Sequence, residues 1–276
     1  MRFDPKLPDD RVNVSAQHPL RDAALLVAGV CGLAVVVVLA ISLAIDLLVP
    51  YIPPAVELKL FSFVDFEDDT DRAETEDPRT SRVQVLLERL AMHWSDNPYA
   101  FRVSVIGDSE PNAFAVPGGQ IVITRGLLES VSSESELAFV LGHEIGHFKQ
   151  RDHLRGLGRG IAFGIAISAL DLGGAGGALD LLSGATGIAG RHFDRNQESG
   201  ADEIGLELVW REYGHVSGAI KFFERFPRPT GRLEEQFQSY LATHPLHSDR
   251  IESLNGMADA RGWRRDGMAP ALELAD

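Results

Sequence analysis

The feature that most constrains this chain is an uncharged apolar run near its N-terminus. Residues 23–45 contain no charged side chain over 23 positions and are bounded by Asp22 and Asp46. A helix of that length rises about 34 Å, and the hydrocarbon core of a bilayer is about 30 Å thick. The run therefore predicts one transmembrane helix. The alternative is a cleaved signal peptide ending near Ser42-Leu43-Ala44, although the apolar part of such peptides is usually only about 7–15 residues long.

The flanking cations predict the orientation of this helix. After it, Lys59 is the only cation before Arg72, whereas four cations precede it: Arg2, Lys6, Arg11 and Arg21. Because cytoplasmic flanks carry the excess of Lys and Arg, residues 1–22 are expected to form a short cytoplasmic tail. The predicted location is the bacterial inner membrane. The chain is expected to contact the bilayer through residues 23–45 and to have its functional domain in the periplasm.

Charge and cysteine content narrow what the rest of the chain does. The formal net charge is −14 over 276 residues, so the chain lacks the basic surface that displaces counterions from nucleic acids. No nucleic-acid partner is expected. The single cysteine, Cys31, lies within the apolar run, which excludes an intrachain disulfide and a zinc site built from cysteines. Any metal must be bound by His, Asp or Glu.

Composition divides the remainder into a linker, a domain and a tail. Residues 46–79 contain several prolines and a dense acidic stretch, which predicts a solvated linker. Residues 80–262 are expected to form one domain, and residues 263–276 a C-terminal tail. Within the domain, the Gly-rich segment 156–190 has apolar stretches too short to cross a bilayer. A buried helix is the favoured interpretation, and a mobile lid or a membrane-touching segment is the alternative.

Periodicity predicts a mainly α fold with a small β part. Apolar residues at helical spacing predict an amphipathic helix over 80–94. Alternation predicts a strand over 101–106, and two β-rich runs around Pro117-Gly118-Gly119-Gln120 predict a hairpin over 113–124. The strong segments after the hairpin are helical. The expected fold class is therefore mainly α (α+β), with a small sheet and one N-terminal transmembrane helix.

The string His143-Glu144-Ile145-Gly146-His147 points to metal chemistry. Ser133 and Glu136 form a possible capping box, so the string should lie well inside a helix that begins near residue 134. Residues i and i+4 share one helix face, which lets both imidazoles reach one ion. Glu144 lies about 100° around the helix from His143. It can therefore approach a metal-bound water without becoming a ligand.

His153 is one candidate for the third protein ligand that a catalytic zinc requires, in addition to an open position. It follows the motif at the spacing of the H-E-x-x-H-x-x-G-x-x-H enzymes, which would make the protein metzincin-like. That arrangement needs glycine at the break, whereas Gln150 stands there. We therefore expect His153 to be a solvated residue at a helix end.

Glu198 is the favoured third ligand. It opens a second helical pattern that ends at Gly214, and Asp202 lies one turn further along the same face. Asp202 is expected to accept a hydrogen bond from the far nitrogen of a ligand histidine, which fixes its tautomer. Spacing alone does not separate Glu198 from Glu203 and Glu207 on the same helix.

Four blocks in order carry a family resemblance. They are Asn112-Ala113-Phe114-Ala115-Val116-Pro117-Gly118-Gly119, the motif at 143–147, Glu198 with Asp202, and His244-Pro245 followed by Arg250. Together they resemble the HtpX-like and CAAX-prenyl-protease-like zinc endopeptidases of metallopeptidase family forty-eight, over roughly residues 80–260. The single anchor resembles the smaller members of that family.

The resemblance implies a gluzincin-like helical protease domain with one Zn²⁺ per chain. The implied zinc ligands are His143, His147 and Glu198, with Glu144 as general base. Bound zinc activates water and polarises the scissile carbonyl, and Glu144 transfers the proton to the leaving amine. The developing oxyanion needs a second stabiliser, for which the candidates are two residues: His244 and Arg250.

For His244 we favour the oxyanion role, with a mobile fourth zinc ligand or a purely structural turn as alternatives. The alternative for Arg250 is a structural ion pair.

The hairpin is the expected site of substrate binding. An exposed strand edge binds an extended polypeptide through backbone hydrogen bonds, and the candidate residues are Asn112, Ala113, Phe114 and Ala115, with Asn112 holding the bend. Such binding suits unfolded or misfolded chains. The predicted function is a membrane-anchored zinc endopeptidase of protein quality control. The alternative is a chaperone-like binding module with a structural metal. The oligomeric state is not predicted.

Overall fold

The computed structural model describes residues 18–62, 79–169, 193–224, 240, 243–244, 250–268 and 272. The predicted acidic stretch at 65–77 and the part of the Gly-rich segment from 170 to 190 lie outside these residues. The described chain is mainly helical with a small sheet, as predicted. Its elements are α1 (Pro19–Leu48), a 3₁₀ turn (Val49–Tyr51), α2 (Pro54–Leu60), α3 (Thr80–Met92), β1 (Arg102–Ile106), β2 (Ala113–Val116), β3 (Gln120–Thr124), α4 (Arg125–Ser130), α5 (Glu134–Gln150), α6 (Asp152–Ala169), α7 (Arg195–Tyr213), α8 (Ser217–Glu224) and α9 (Arg250–Ala260).

Helix α1 contains the whole apolar run and is, among the described residues, the one helix long and apolar enough to cross a membrane. Most of its side chains are exposed, as Leu26 is at 70%, and lipid would cover them. Its C-terminal turns are different because α6 packs against them. Arg159 of α6 donates to both carboxylate oxygens of Asp46 at 2.7 and 2.8 Å. The last turns of α1 are therefore joined to the domain by helix packing and an ion pair.

The sheet has three strands in the order β1-β3-β2. The central strand β3 runs parallel to β1 and antiparallel to β2, with Phe114 opposite Val122. The hairpin turn contains Gly118 at φ 98° and Gly119 at φ 87°, a conformation that glycine adopts without strain. The predicted hairpin is thus present, and β2 forms one edge of the described sheet.

The amphipathic helix predicted over 80–94 is α3. Its apolar face is buried and comprises Val83, Leu86, Leu87 and Leu90. These side chains join one hydrophobic core with residues of the sheet, α5 and α7. The core fixes the sheet against the central helices that carry the motif.

Helices α5 and α7 form the centre of the domain. Ser133 caps α5 by accepting a hydrogen bond from the backbone N–H of Glu136, as the capping signal predicts. All residues of α5 from 135 to 148 are buried. A Cβ at Gly146 would lie 2.8 Å from Cα of Ala201 on α7, so the glycine inside the motif permits close approach of the two helices. This contact brings the motif opposite the start of α7.

Two segments that the sequence assigns to flanking regions contact the domain. Helix α2 lies within the segment 46–79, and its Glu57 is 1% exposed. Near the other end, Trp263 stacks on Trp210 of α7 with ring centroids 5.1 Å apart. The packed region is therefore wider than residues 80–262.

Candidate metal centre

Four buried side chains converge between α5, α7 and residues 243–244. One ligand atom from each lies within 4.8 Å of the others, and the residues are His143, His147, Glu198 and His244. His143 Nε2 lies 3.1 Å from His147 Nε2 and 3.2 Å from His244 Nδ1. Glu198 Oε1 lies 3.4 Å from His147 Nε2 and 3.0 Å from His244 Nδ1. The structure thus brings together the three predicted ligands and adds His244.

These separations fit a bound zinc ion. Tetrahedral ligands at about 2.0–2.1 Å from zinc lie about 3.3 Å from one another, and the four separations above range from 3.0 to 3.4 Å. These four pairs are close enough to share one ion. The donor set of imidazole nitrogens and a carboxylate oxygen is one that zinc prefers.

The hydrogen bonds of the two Nδ1 atoms explain why the Nε2 atoms of His143 and His147 face each other. His143 Nδ1 donates to Asp202 Oδ1 at 3.0 Å, and His147 Nδ1 donates to Asp152 Oδ2 at 3.1 Å. A neutral imidazole with its proton on Nδ1 presents a lone pair at Nε2. Two such lone pairs 3.1 Å apart repel each other unless a cation lies between them.

Without a metal, a proton on one of the two rings would relieve this repulsion. Burial alone would lower the pKa of His147, but hydrogen bonds to Asp152 and Glu198 and the charge of Glu198 raise it to about 10. For His143, burial outweighs the attraction of Glu198 and Asp202, and the pKa is lowered. The two motif histidines therefore differ in the direction in which their surroundings move the pKa, and a proton is favoured on His147 over His143.

Arg250 supports the carboxylates of α7. Its Nε donates to Asp202 Oδ2 at 2.8 Å and its Nη2 to Asp202 Oδ1 at 2.6 Å. Its Nη1 lies 2.7 Å from Glu198 Oε2. Burial would raise the pKa of Asp202, but Arg250 and His143 hold it below the usual value. Both carboxylates are therefore ionised and oriented.

Glu144 lies beside the cluster and outside its ligand set. The side chain is 0% exposed, and within the described part of the chain neither carboxylate oxygen has a hydrogen-bond partner. Its Oε1 is 3.5 Å from His244 Nε2. A buried carboxylate without a donor is unfavourable, and a metal-bound water is a donor that would satisfy it.

The prediction of a solvated His153 is wrong. Its ring is 0% exposed, and its Nε2 donates to Glu57 Oε1 at 2.8 Å. It does not belong to the four-residue cluster. No residue near His153 in the chain signals this burial, because its partner lies 96 positions earlier.

Asp152 is a site residue that the sequence analysis missed. Its carboxylate accepts from His147 and, through Oδ1, from Gln197 Nε2 at 2.8 Å. A search for an acceptor for the second nitrogen of His147 would have pointed to it, since ligand histidines almost always have such a partner.

The candidate substrate residues are buried. Asn112, Ala113, Phe114 and Ala115 are each exposed by 6% or less. Asn112 Oδ1 accepts from the N–H of Ala113 at 2.9 Å, and the N–H of Asn112 donates to Thr124 Oγ1 at 2.8 Å. These hydrogen bonds fix the backbone at the start of β2.

Two histidines on one central helix, facing a glutamate on a second helix, are the arrangement of a metallopeptidase. The model of Peptidase family M48 matches residues 77–258, and the chain belongs to this family. The resemblance noted in the sequence is thereby confirmed.

Similar proteins include two named proteases. The mitochondrial metalloendopeptidase OMA1 of Schizosaccharomyces pombe is 29% identical over 182 residues, which cover 64% of this chain and 52% of that protein. The beta-barrel assembly-enhancing protease of Escherichia coli K12 is 30% identical over 207 residues, 70% of this chain and 40% of that protein. The chain thus spans about half or less of the length of these relatives.

Proposed function

We propose that this protein is a membrane-anchored, zinc-dependent endopeptidase that hydrolyses peptide bonds of unfolded or misfolded polypeptides. The observation that supports this most is the carboxylate of Glu144, which is buried without a hydrogen-bond partner in the described part of the chain. It lies beside a cluster suited to one metal ion. A purely structural metal site does not need a neighbouring base.

The proposed ligands are His143, His147 and Glu198, which hold one Zn²⁺ per chain. When bound, zinc lowers the pKa of a water molecule and polarises the scissile carbonyl. Glu144 accepts the proton of the attacking water and delivers it to the leaving amine. The burial of Glu144 keeps other donors away from its carboxylate until water and substrate are bound.

Three further residues act by positioning the ligands. Asp202 and Asp152 orient the two imidazoles through their Nδ1 atoms. Arg250 directs its nitrogens to Asp202 and Glu198, so we assign it to the structural ion pair instead of the oxyanion role. Its charge offsets the buried carboxylates.

For His244, the distances favour the fourth-ligand alternative over the oxyanion role. Its Nδ1 lies 3.2 Å from His143 Nε2 and 3.0 Å from Glu198 Oε1, which is as close as the predicted ligands lie to one another. If all four residues held one ion, they would leave no open position; this conformation would then be a closed one, and proteolysis would require His244 to withdraw.

His244→Ala distinguishes the two roles in an assay of turnover on unfolded casein, with the zinc content checked. Loss of a blocking ligand should raise turnover. Loss of an oxyanion donor should instead reduce it by about 10²-fold or more. A change of less than about threefold would support the structural-turn alternative alone.

The proposed substrate-binding edge is β2. In an antiparallel pair, successive residues alternate between bonding to the partner strand and directing their backbone groups outward. The N–H of Thr124 donates to the carbonyl of Asn112, so the outward-directed residues are Ala113 and Ala115. The N–H of Ala113 already donates to Asn112 Oδ1, which leaves the carbonyl of Ala113 and both backbone groups of Ala115 to pair with a further strand. A polypeptide added as a further strand would pair with these groups without regard to its side chains.

We propose that α1 crosses the bacterial inner membrane with the N-terminus in the cytoplasm and the protease domain in the periplasm. The packing of α6 on α1 supports a metal centre close to the membrane surface. A reporter that is active only outside the cytoplasm, fused to the C-terminus of the full chain, should be active. Activity from a cytoplasm-requiring reporter would invert this topology.

The closed cluster also supports a second candidate function, a chaperone-like binding module. Structural zinc sites have four protein ligands, as this conformation would provide. In that case the metal stabilises the fold and little proteolysis occurs.

A casein-digestion assay of the full chain in detergent, with and without a chelator, separates these functions. The proposal expects chelator-sensitive digestion that Glu144→Gln abolishes while about one zinc per chain remains. Metal loss in Glu144→Gln would show that Glu144 is a ligand. Binding of unfolded casein without cleavage would favour the chaperone-like function.

A further inference from the structure

Glu57 lies on α2, in the segment that follows the candidate membrane helix, and its carboxylate is buried in the domain. Its side chain is 0% exposed. A buried charge is tolerated only where donors compensate it, and four donors reach this one. Oε1 accepts from His153 Nε2 at 2.8 Å and Gly118 N at 3.2 Å. Oε2 accepts from Tyr99 Oη at 2.7 Å and Arg151 Nη2 at 3.1 Å.

Two of these donors lie on either side of Asp152, the residue that orients His147. Arg151 and His153 both bind Glu57, while Asp152 between them accepts from His147 Nδ1. In addition, His153 Nδ1 donates to the backbone carbonyl of His147 at 3.3 Å. We call Arg151 and the first two residues of α6, Asp152 and His153, the α5–α6 junction. Glu57 holds this junction on one side, and Asp152 contacts the metal centre on the other.

The backbone of this junction requires such support. Arg151 has φ 64°, and among the described residues it is the only non-glycine residue with a positive φ. This left-handed conformation is unfavourable for a side chain of its size. The contact between Arg151 and Glu57 stabilises the turn that directs Asp152 back toward His147.

Glu57 also connects to the hairpin. The N–H of Gly118 that it binds lies in the turn between β2 and β3, and a Cβ at that glycine would lie 3.4 Å from Cβ of Phe61, just after α2. Burial alone would raise the pKa of Glu57, but hydrogen bonds from His153, Tyr99 and Gly118 and the charge of His153 lower it. Glu57 is thus ionised and contacts both the α5–α6 junction and the proposed substrate strand.

We propose that Glu57 is a positioning residue through which the membrane-proximal segment sets the metal affinity of the centre, by holding Arg151 and His153 so that Asp152 stays on His147. This inference rests on the proposed metal site. It makes α2 part of the machinery of the site, and residues before the domain boundary determine how long the metal stays bound.

The test measures the rate at which the zinc-loaded full chain, in detergent micelles, releases its metal to a chromogenic chelator. Glu57→Gln keeps the shape of the side chain but removes the charge, and should speed release by about tenfold, at the lower end of the effect of outer-shell partners. Tyr99→Phe is the matched control. It removes one hydrogen bond to Glu57 but no contact to the junction, and should leave the release rate within about twofold of the wild type.

A double variant separates positioning from general destabilisation. If Glu57 acts through Asp152, adding Glu57→Gln to Asp152→Asn should produce little further acceleration. Additive acceleration, or an equal effect of Tyr99→Phe, would overturn the proposal. Arg151→Asn provides a second route, because Asn tolerates the left-handed conformation while losing the contact to Glu57, and it should also speed release.

The outcomes separate the two proposals. If the wild-type chain binds no zinc, the proposed function and this inference both fail. If it binds zinc and Glu57→Gln releases it at the wild-type rate, only the inference fails.

Discussion

The two motif histidines have similar immediate partners but very different supports. His143 and His147 each direct Nδ1 at an aspartate, at 3.0 and 3.1 Å. On the His143 side, Asp202 is held by Arg250, which is 5% exposed and lies at the start of α9. On the His147 side, the support comes from the α5–α6 junction and, behind it, from the membrane-proximal helix α2.

One half of the centre is thus supported by contacts within the domain core, and the other half is joined to the segment that follows the candidate membrane helix. The His143 side depends on helices that pack within the domain core. The His147 side depends on Glu57 and on the packing of α6 against α1, where Arg159 pairs with Asp46. Changes in α1 or α2 are therefore expected to reach the centre through His147.

The largest expected effect is on zinc content, and it comes from removing Glu198, the proposed ligand that lies between the two sides. Glu198→Ala should strip most of the zinc, because Glu198 Oε1 contacts both His147 and His244 in the cluster. Metal analysis of the purified full chain measures this, and Glu203→Ala on the same helix is the control. Zinc retained in Glu198→Ala but lost in His153→Ala would restore the metzincin-like alternative.

The next prediction concerns stability. Arg250→Met leaves two buried carboxylates without their cation and should lower the free energy of unfolding by about 3–5 kcal/mol, as for other broken buried pairs. On the His147 side, Arg155 pairs with Asp152 at 3.1 Å but is 22% exposed. Arg155→Met should therefore cost less, about 1 kcal/mol. Denaturant unfolding of the metal-free chain compares the two, and equal losses would contradict the asymmetry.

Much of this structure follows from local sequence patterns. Periodicity predicts α3 and α7, the glycine turn predicts the β2–β3 hairpin, and the i, i+4 spacing of His143 and His147 places both rings on one face. These features depend on residues close together in the chain. The third ligand needed the family resemblance, because helical spacing alone does not distinguish Glu198 from its neighbours.

The rest could not be predicted because it depends on contacts between distant segments. Glu57 meets Arg151 and His153 across 94 and 96 positions, and nothing near any of these residues signals that encounter. The orientation of Asp152 depends on the left-handed backbone of Arg151, which the residue type disfavours. A short polar stretch after a helix normally indicates solvation, which is why the sequence predicts a solvated His153.

The third prediction compares the two aspartates directly. Asp202→Asn and Asp152→Asn should each weaken zinc binding by about 10–100-fold, because both remove a carboxylate that orients a ligand imidazole. Competition with a chelator of known affinity measures the effect. Both variants should also lower the stability of the metal-free chain, but the loss in Asp202→Asn, which leaves Arg250 without its bidentate partner, should persist as the pH rises, whereas the loss in Asp152→Asn should fade toward pH 10, where His147 gives up its proton. A strong loss in Asp152→Asn alone would reverse the comparison.

The smallest expected effect is the release of a proton when zinc binds. In the metal-free chain the pKa of His147 is raised to about 10, whereas that of His143 is lowered. At pH 8 His147 is therefore protonated and His143 is neutral, so zinc binding should release about one proton. Because only the metal-free state holds this proton, affinity should rise with pH, by about tenfold per unit between pH 7 and 9.

Calorimetric titration of zinc in buffers with different ionisation enthalpies measures this proton release. The raised pKa of His147 also makes the free energy of unfolding of the metal-free chain depend on pH. The protonated ring stabilises the metal-free fold fully below the ordinary histidine pKa, and this contribution is lost as the pH rises through about 10. Asp152→Asn removes a main cause of the raised pKa and should reduce the proton release. Asp202→Asn should change it less, since the proton lies on the other histidine. Equal proton release by both variants would show that the proton is shared across the cluster.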